Sequence, residues 1–147
     1  MAKLIGIAQR DKKRAPMQLL NSASVSLEKG VANDFRGKPG KRQVTVLTSE
    51  GWNQACNEIK TTIPWTARRA NLLIEGMDLE NSANCKLKIG SAILLITRET
   101  DPCERMEEVH PELFNALKPN WRGGVCCRVV QAGDIKLGDN VELIHDN

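Results

Sequence analysis

Tyrosine is absent from the 147 residues, and there are only two phenylalanines and three tryptophans. A core must then be built from Val, Ile, Leu, Ala and Met. A binder of single-stranded nucleic acid would lack the stacking platforms it needs. Long apolar runs are missing too: the strongest, residues 92–96, is far below the roughly 20 residues that cross a bilayer. Residues 1–9 carry one Lys and come before the basic residues, the reverse of a secretory leader, so a cytoplasmic protein is expected. No CxxC occurs, and neither histidine stands at a zinc-type spacing from a cysteine. The cysteines, Cys56, Cys85, Cys103, Cys126 and Cys127, are odd in number, which fits free thiols in a reducing compartment. Walker-type loops and a Ser/His/Asp order are likewise missing.

What is present suits a single domain, residues 1–147, with one substantial core. Charge is uneven. Residues 1–42 hold ten Lys/Arg against three Asp/Glu, whereas the remainder is acidic overall. A basic N-terminal third could face an anionic ligand or simply be solvated loop. Period-two or β-branched stretches predict strands at residues 3–8, 24–27, 43–48, 71–74, 87–97, 125–131 and 141–144. Ser49 reads as the cap of a helix over residues 50–59. Residues 104–117 read as the best helix, broken by Pro111. Gly133-Asp134 and Gly138-Asp139 read as turns, and residues 34–42 as a flexible basic loop. Strands do not alternate regularly with helices, so a closed or partly closed β-barrel with small helices is expected.

Four segments carry a more specific signal by their order. They are Gly30-Val31-Ala32-Asn33-Asp34; Arg42-Gln43-Val44; Arg68-Arg69-Ala70-Asn71-Leu72 with Gly76-Met77-Asp78-Leu79; and Leu87 to Gly90 leading through residues 92–97 to Asp101-Pro102-Cys103. Gly123-Gly124-Val125 and Gly138-Asp139-Asn140-Val141 follow. Together they resemble the MOSC domain, the β-rich module at the C-terminus of molybdenum-cofactor sulfurases, over residues 25–143. Two departures stand out. Asn33 replaces a usual glycine and would have to take the left-handed conformation there. Arg68, Arg69 and Ala70 occupy the stretch where the family has Gly-Glu.

The resemblance implies a mainly β, MOSC-type barrel with a few short helices. It also implies a role with the molybdenum cofactor (molybdopterin): cofactor binding, sulfur carriage, or reduction of N-hydroxylated compounds. Its partners would be the cofactor or a sulfur donor or acceptor protein. A reductase of this size would need a separate electron-donor protein, and no membrane partner is expected. Cys103 is the candidate chemical centre and metal ligand. A thiol just ahead of a helix meets free backbone N–H groups that favour the thiolate, and thiolates suit soft metals. Arg36 and Arg42 (with Lys38 and Lys41 on the same loop) and the pair Arg68 and Arg69 could bind the cofactor phosphate. Asp34 and Asn71 would complete the polar lining. The competing reading is an anion- or nucleic-acid-binding barrel in which Cys103 is inert. The shortage of aromatics counts against nucleic acid.

Overall fold

A computed structural model of the chain describes residues 2–145. Its strands are β1 (Ala2–Gln9), β2 (Gln18–Leu19), β3 (Ser22–Ser26), β4 (Gly30–Val31), β5 (Val44–Thr48), β6 (Leu72–Glu75), β7 (Lys86–Ile89), β8 (Ala92–Glu99), β9 (Val125–Gln131), β10 (Gly133–Lys136) and β11 (Asn140–Ile144). Helices α1 (Ser49–Glu58), α2 (Arg105–Val109) and α3 (Leu113–Leu117) are short, and 3-10 turns occupy Trp65–Arg68 and Pro119–Trp121. Seven strands close into a ring in the order β11-β7-β8-β9-β5-β6-β1, with β1 pairing back to β11. Strands β10, β3 and β4 form a separate three-stranded sheet. The expectation of a mainly β barrel with small helices is met. No helix among the described residues is long and apolar enough to cross a membrane.

Side-chain alternation divides the molecule into two cores. Val44, Val46, Leu72, Ile74, Leu94, Ile96, Val125 and Cys127 turn into the barrel. Leu47 and Leu73, on the opposite faces of β5 and β6, pack outward against Trp52, Ala55, Met106, Leu113 and Leu117 of the helices. Each fully buried Leu contributes about 1.5–3 kcal/mol. The pairing of β5 with β6 is parallel, and a parallel pair needs a crossover connection. That crossover holds α1 and the 3-10 turn, and so places both on the barrel's outer wall beside α2 and α3.

Several local expectations shift. The cap of α1 is Thr48, not Ser49: Thr48 is still extended (φ −92, ψ 140), and its hydroxyl accepts the Gly51 N–H at 3.1 Å. Gly133-Asp134 is strand rather than turn, because β10 pairs with β3. Glycine is needed there for close approach, since a Cβ on Gly133 would lie 2.4 Å from the Ser91 backbone. Positive φ in the Gly30 turn falls on Gly30 (71°) and Ala32 (52°), not on Asn33. The loop at residues 34–42 is held rather than flexible. The buried Gln43 side chain donates to the carbonyls of Leu27 and Gly37 and accepts the Val129 N–H, tying the loop to β9. The break at Pro111 does produce two helices, though each has only five residues.

Candidate functional site: an arginine-walled pocket beside Cys103

Thr45 points outward from β5, between two residues that point into the barrel. Around it lies a pocket walled by Arg10, Asp34, Arg36, Arg42, Arg68, Arg69, Asn71, Thr100, Cys103, Arg105, Met106 and Gly123. Residues 10–123 of the chain therefore meet at one place. All seven residues singled out from sequence, Cys103, Asp34, Arg36, Arg42, Arg68, Arg69 and Asn71, line it. Lys38 and Lys41 are not among its walls. Lys38 borders a neighbouring groove with Phe35, Arg36 and Arg42.

The wall is built by specific hydrogen bonds. Asp34 accepts the backbone N–H of Arg10 at 2.9 Å through one carboxylate oxygen and that of Arg36 at 3.1 Å through the other. Its role is to fix the two backbones that carry arginines. Asn71 is buried, and its side-chain oxygen accepts the Thr45 N–H at 3.1 Å while its Nδ2 donates to the Ala8 carbonyl at 3.2 Å. It thereby joins β1, β5 and the start of β6. The Arg68 guanidinium donates from Nε to the Gly123 carbonyl at 3.1 Å and from Nη2 to the Thr100 carbonyl at 3.0 Å, with a longer 3.4 Å contact to Asp101. Arg68 thus clasps the turn that presents Cys103. Arg69 sits in the left-handed conformation (φ 64) at the end of the 3-10 turn and donates from Nη2 to the Ala15 carbonyl.

Cys103 is exposed, and its carbonyl accepts the Met106 N–H at 2.9 Å to start α2. Because α2 has only five residues, its macrodipole is small. The positive charge facing the thiol comes from arginine instead, and Cys103 is the foremost group holding the Arg68 guanidinium's pKa up against burial. Burial, then Arg69 and Arg36, pulls the Arg10 guanidinium below its ordinary value, with Asp34 opposing. Burial and then Arg105 do the same to Arg69. Two donors in this wall, Arg10 Nη1 and Arg69 Nε, are buried with no hydrogen-bond partner. A pocket with six arginines, one carboxylate and unmatched buried donors carries a net positive charge that an anion would offset.

Arg10 is the arginine that sequence did not place in the site, while Arg105 reads from sequence only as a neighbour that could assist the Cys103 thiolate. Arg10 reads as one of five residues in a basic loop, yet it is only 6% exposed. The one available signal is that it directly follows the apolar run of β1. The adjacent cysteines Cys126 and Cys127 face opposite ways, as alternation in a strand requires. Alternation in β9 puts Cys126 outward, but both Cys126 and Cys127 are fully buried. The outer face is covered here, with Cys126 Sγ 3.2 Å from the Thr100 hydroxyl under the pocket. Burial and the neighbouring Cys126 push the Cys127 thiol up from its ordinary value. Iodoacetamide should therefore label Cys103 and the half-buried Cys85 in the folded protein, and Cys56, Cys126 and Cys127 only after unfolding, as peptide mass mapping will read.

The MOSC domain profile matches residues 29–142. The chain belongs to the MOSC domain family. Among solved structures, this MOSC domain is similar to the YuaD protein of Bacillus subtilis, with 18% identity and a TM-score of 0.83 over 100% of this chain and 98% of that one. It is also similar to YiiM of Geobacillus stearothermophilus (15%, TM-score 0.78, 99% and 76%) and YiiM of Escherichia coli (14%, TM-score 0.73, 99% and 71%). At these identities the likeness concerns the fold. No curated protein matches the sequence. The matched stretch begins after β1, so Arg10 lies outside it, although β1 closes the barrel of this MOSC domain.

Proposed function

We propose that this MOSC domain holds a molybdenum cofactor in the arginine pocket, with Cys103 as the protein's ligand to the metal and a separate protein as electron donor. The observation that carries the reading is the convergence of six arginines on an exposed cysteine. The residues fit the group in two respects. Among the described residues no cluster of three or more His, Cys, Asp or Glu could hold a bare ion. A metal at Cys103 would then take its other ligands from an organic molecule, and the pocket is charged to hold an anionic one. Arg36 and Arg42, whose side chains are exposed, are free to take a phosphate in the planar, bidentate manner of guanidinium groups. Arg68 holds the turn that aims the Cys103 sulfur, and Asp34 and Asn71 hold the strands and loop around it. When bound, the cofactor would supply oxygen-atom or electron transfer, and N-hydroxylated small molecules are the substrate class proposed.

The test is molybdenum content per chain, by mass spectrometry, in protein purified without oxygen from cofactor-producing cells. Wild type should carry the metal, and Cys103→Ala should lose it by at least about tenfold, as expected for a lost thiolate ligand. Equal metal in both would remove Cys103 as ligand. The exposure of Cys103 also favours a second reading, a sulfur carrier. Metal in neither protein, with one extra sulfur on Cys103 of the wild type, would replace the first reading by that one.

A further inference from the structure

We infer that the second ligand of this pocket, the substrate, is a small molecule bearing an oxyanion, and that Arg10, Arg69 and Arg105 select it. This rests on the reading of the pocket as a cofactor site. Six arginines face one carboxylate, and that carboxylate is committed to two backbone N–H groups. No ion pair found among the described residues joins it to an arginine. A cofactor phosphate brings about two negative charges, and a Cys103 thiolate brings one. An excess of about two positive charges is then left inside a walled pocket, where Coulomb interactions are far stronger than in water. An uncharged substrate leaves that excess in place, whereas an oxyanion of one charge removes about half of it.

Arg10 carries the inference furthest. It is 6% exposed, its Nη1 has no partner, and the Phe35 ring lies 5.9 Å from its guanidinium. An arginine shielded in this way is not a solvated surface cation, and the groups nearest to it include three further arginines, Arg69, Arg36 and Arg105. Arg69 brings a second unmatched buried donor. Arg105 is exposed and stands two residues after Cys103, which puts the cationic wall next to the thiol. Arg42 belongs instead with Arg68 and Cys103. The cations therefore divide into Arg42 and Arg68 on one side and Arg10, Arg69 and Arg105 on the other, with Arg36 beside both, and the second set is the one left for substrate. A carboxylate or an inorganic oxyanion would satisfy it through the same paired N–H···O geometry.

The test compares equilibrium binding of 4-(hydroxyamino)benzoate, its uncharged parent phenylhydroxylamine, and nitrate to oxygen-free protein, with molybdenum content measured on every sample. The benzoate should bind about tenfold more tightly than the parent at low salt, the worth of one charge-assisted hydrogen bond. That preference should shrink as salt rises and be lost in Arg10→Ala and in Arg105→Ala. The exposed Arg105 position keeps the test open if the buried Arg10 site does not tolerate alanine. Competition by nitrate would assign the site to a bare oxyanion, and failure of nitrate to compete would assign it to an organic carboxylate. Equal affinity for the two aromatic probes, or a preference that survives Arg105→Ala, overturns the inference. A preference present in protein that never acquires metal overturns the cofactor reading and leaves the anion site standing.

Discussion

Arg68→Ala should lower stability by about 3 kcal/mol, the combined cost of losing two charge-assisted hydrogen bonds to partly buried carbonyls, and, on the proposed cofactor reading, should lower molybdenum content with it. The guanidinium reaches Gly123, ahead of β9, and Thr100, just after β8. It is the bolt between these two segments and the crossover that carries Arg68 itself. Without it the carbonyls lose their donor, and the turn at residues 100–103 is freed to move the sulfur away from the arginines. Arg68→Lys should restore part of the stability and little of the metal, because an ammonium supplies charge without a fork that spans two carbonyls. Denaturant unfolding read beside molybdenum content separates these effects. An alanine variant with the wild-type midpoint and full metal would show that the clasp does nothing.

Gly37→Ala should cost at least about 3 kcal/mol, the upper part of the range for forcing a methyl group into filled space. A Cβ at Gly37 would lie 1.6 Å from the Lys29 carbonyl oxygen and 2.5 Å from its carbon, so backbone itself must move. The loop cannot yield easily. The Gly37 carbonyl accepts from Gln43 at 2.9 Å, and Gln43 is in turn bonded to Leu27 and Val129. Relief of the clash would pull Asp34 and Arg36 out of the pocket wall, so anion binding should fall together with the thermal midpoint. An unchanged midpoint would mean that the loop is as flexible as its glycines and proline suggest from sequence.

That loop illustrates what sequence could and could not convey. Residues 34–42 are rich in glycine and lysine and read as mobile. They are fixed because a glutamine at the start of β5 is buried, and no local pattern announces burial of a single Gln. The strands over residues 43–48 and 125–131 were legible because β-branched alternation depends only on the pleat. Alternation tells which side a residue faces but not what covers that side: it separates Cys126 from Cys127 without showing that Thr100 covers the outer one. Turn signals at Gly133-Asp134 were outweighed by pairing with β3, a contact between residues more than a hundred positions apart (Ser24 Oγ donates to the Asp134 carboxylate). The pocket's membership was legible where ordered motifs placed it. Arg10 was not, because a buried arginine and its exposed neighbours Lys12 and Lys13 look alike in one sequence.

The ring closes where β1 meets β11, and there the Lys3 ammonium donates to the Asn140 side chain, 137 residues away along the chain. Contacts so far apart in sequence carry a high cost of loop closure and are slow to form. Strand β1 also pairs with β6, where Leu4 and Ile7 lie opposite Ile74 and Leu72, but the ring stays open until β11 reaches its other edge. The binding wall spans the chain in the same way, from Arg10 to Gly123, so it too is assembled from segments distant in sequence. A ligand held there would add its binding free energy to the most distant contacts of the fold and so stabilise the closed ring by mass action.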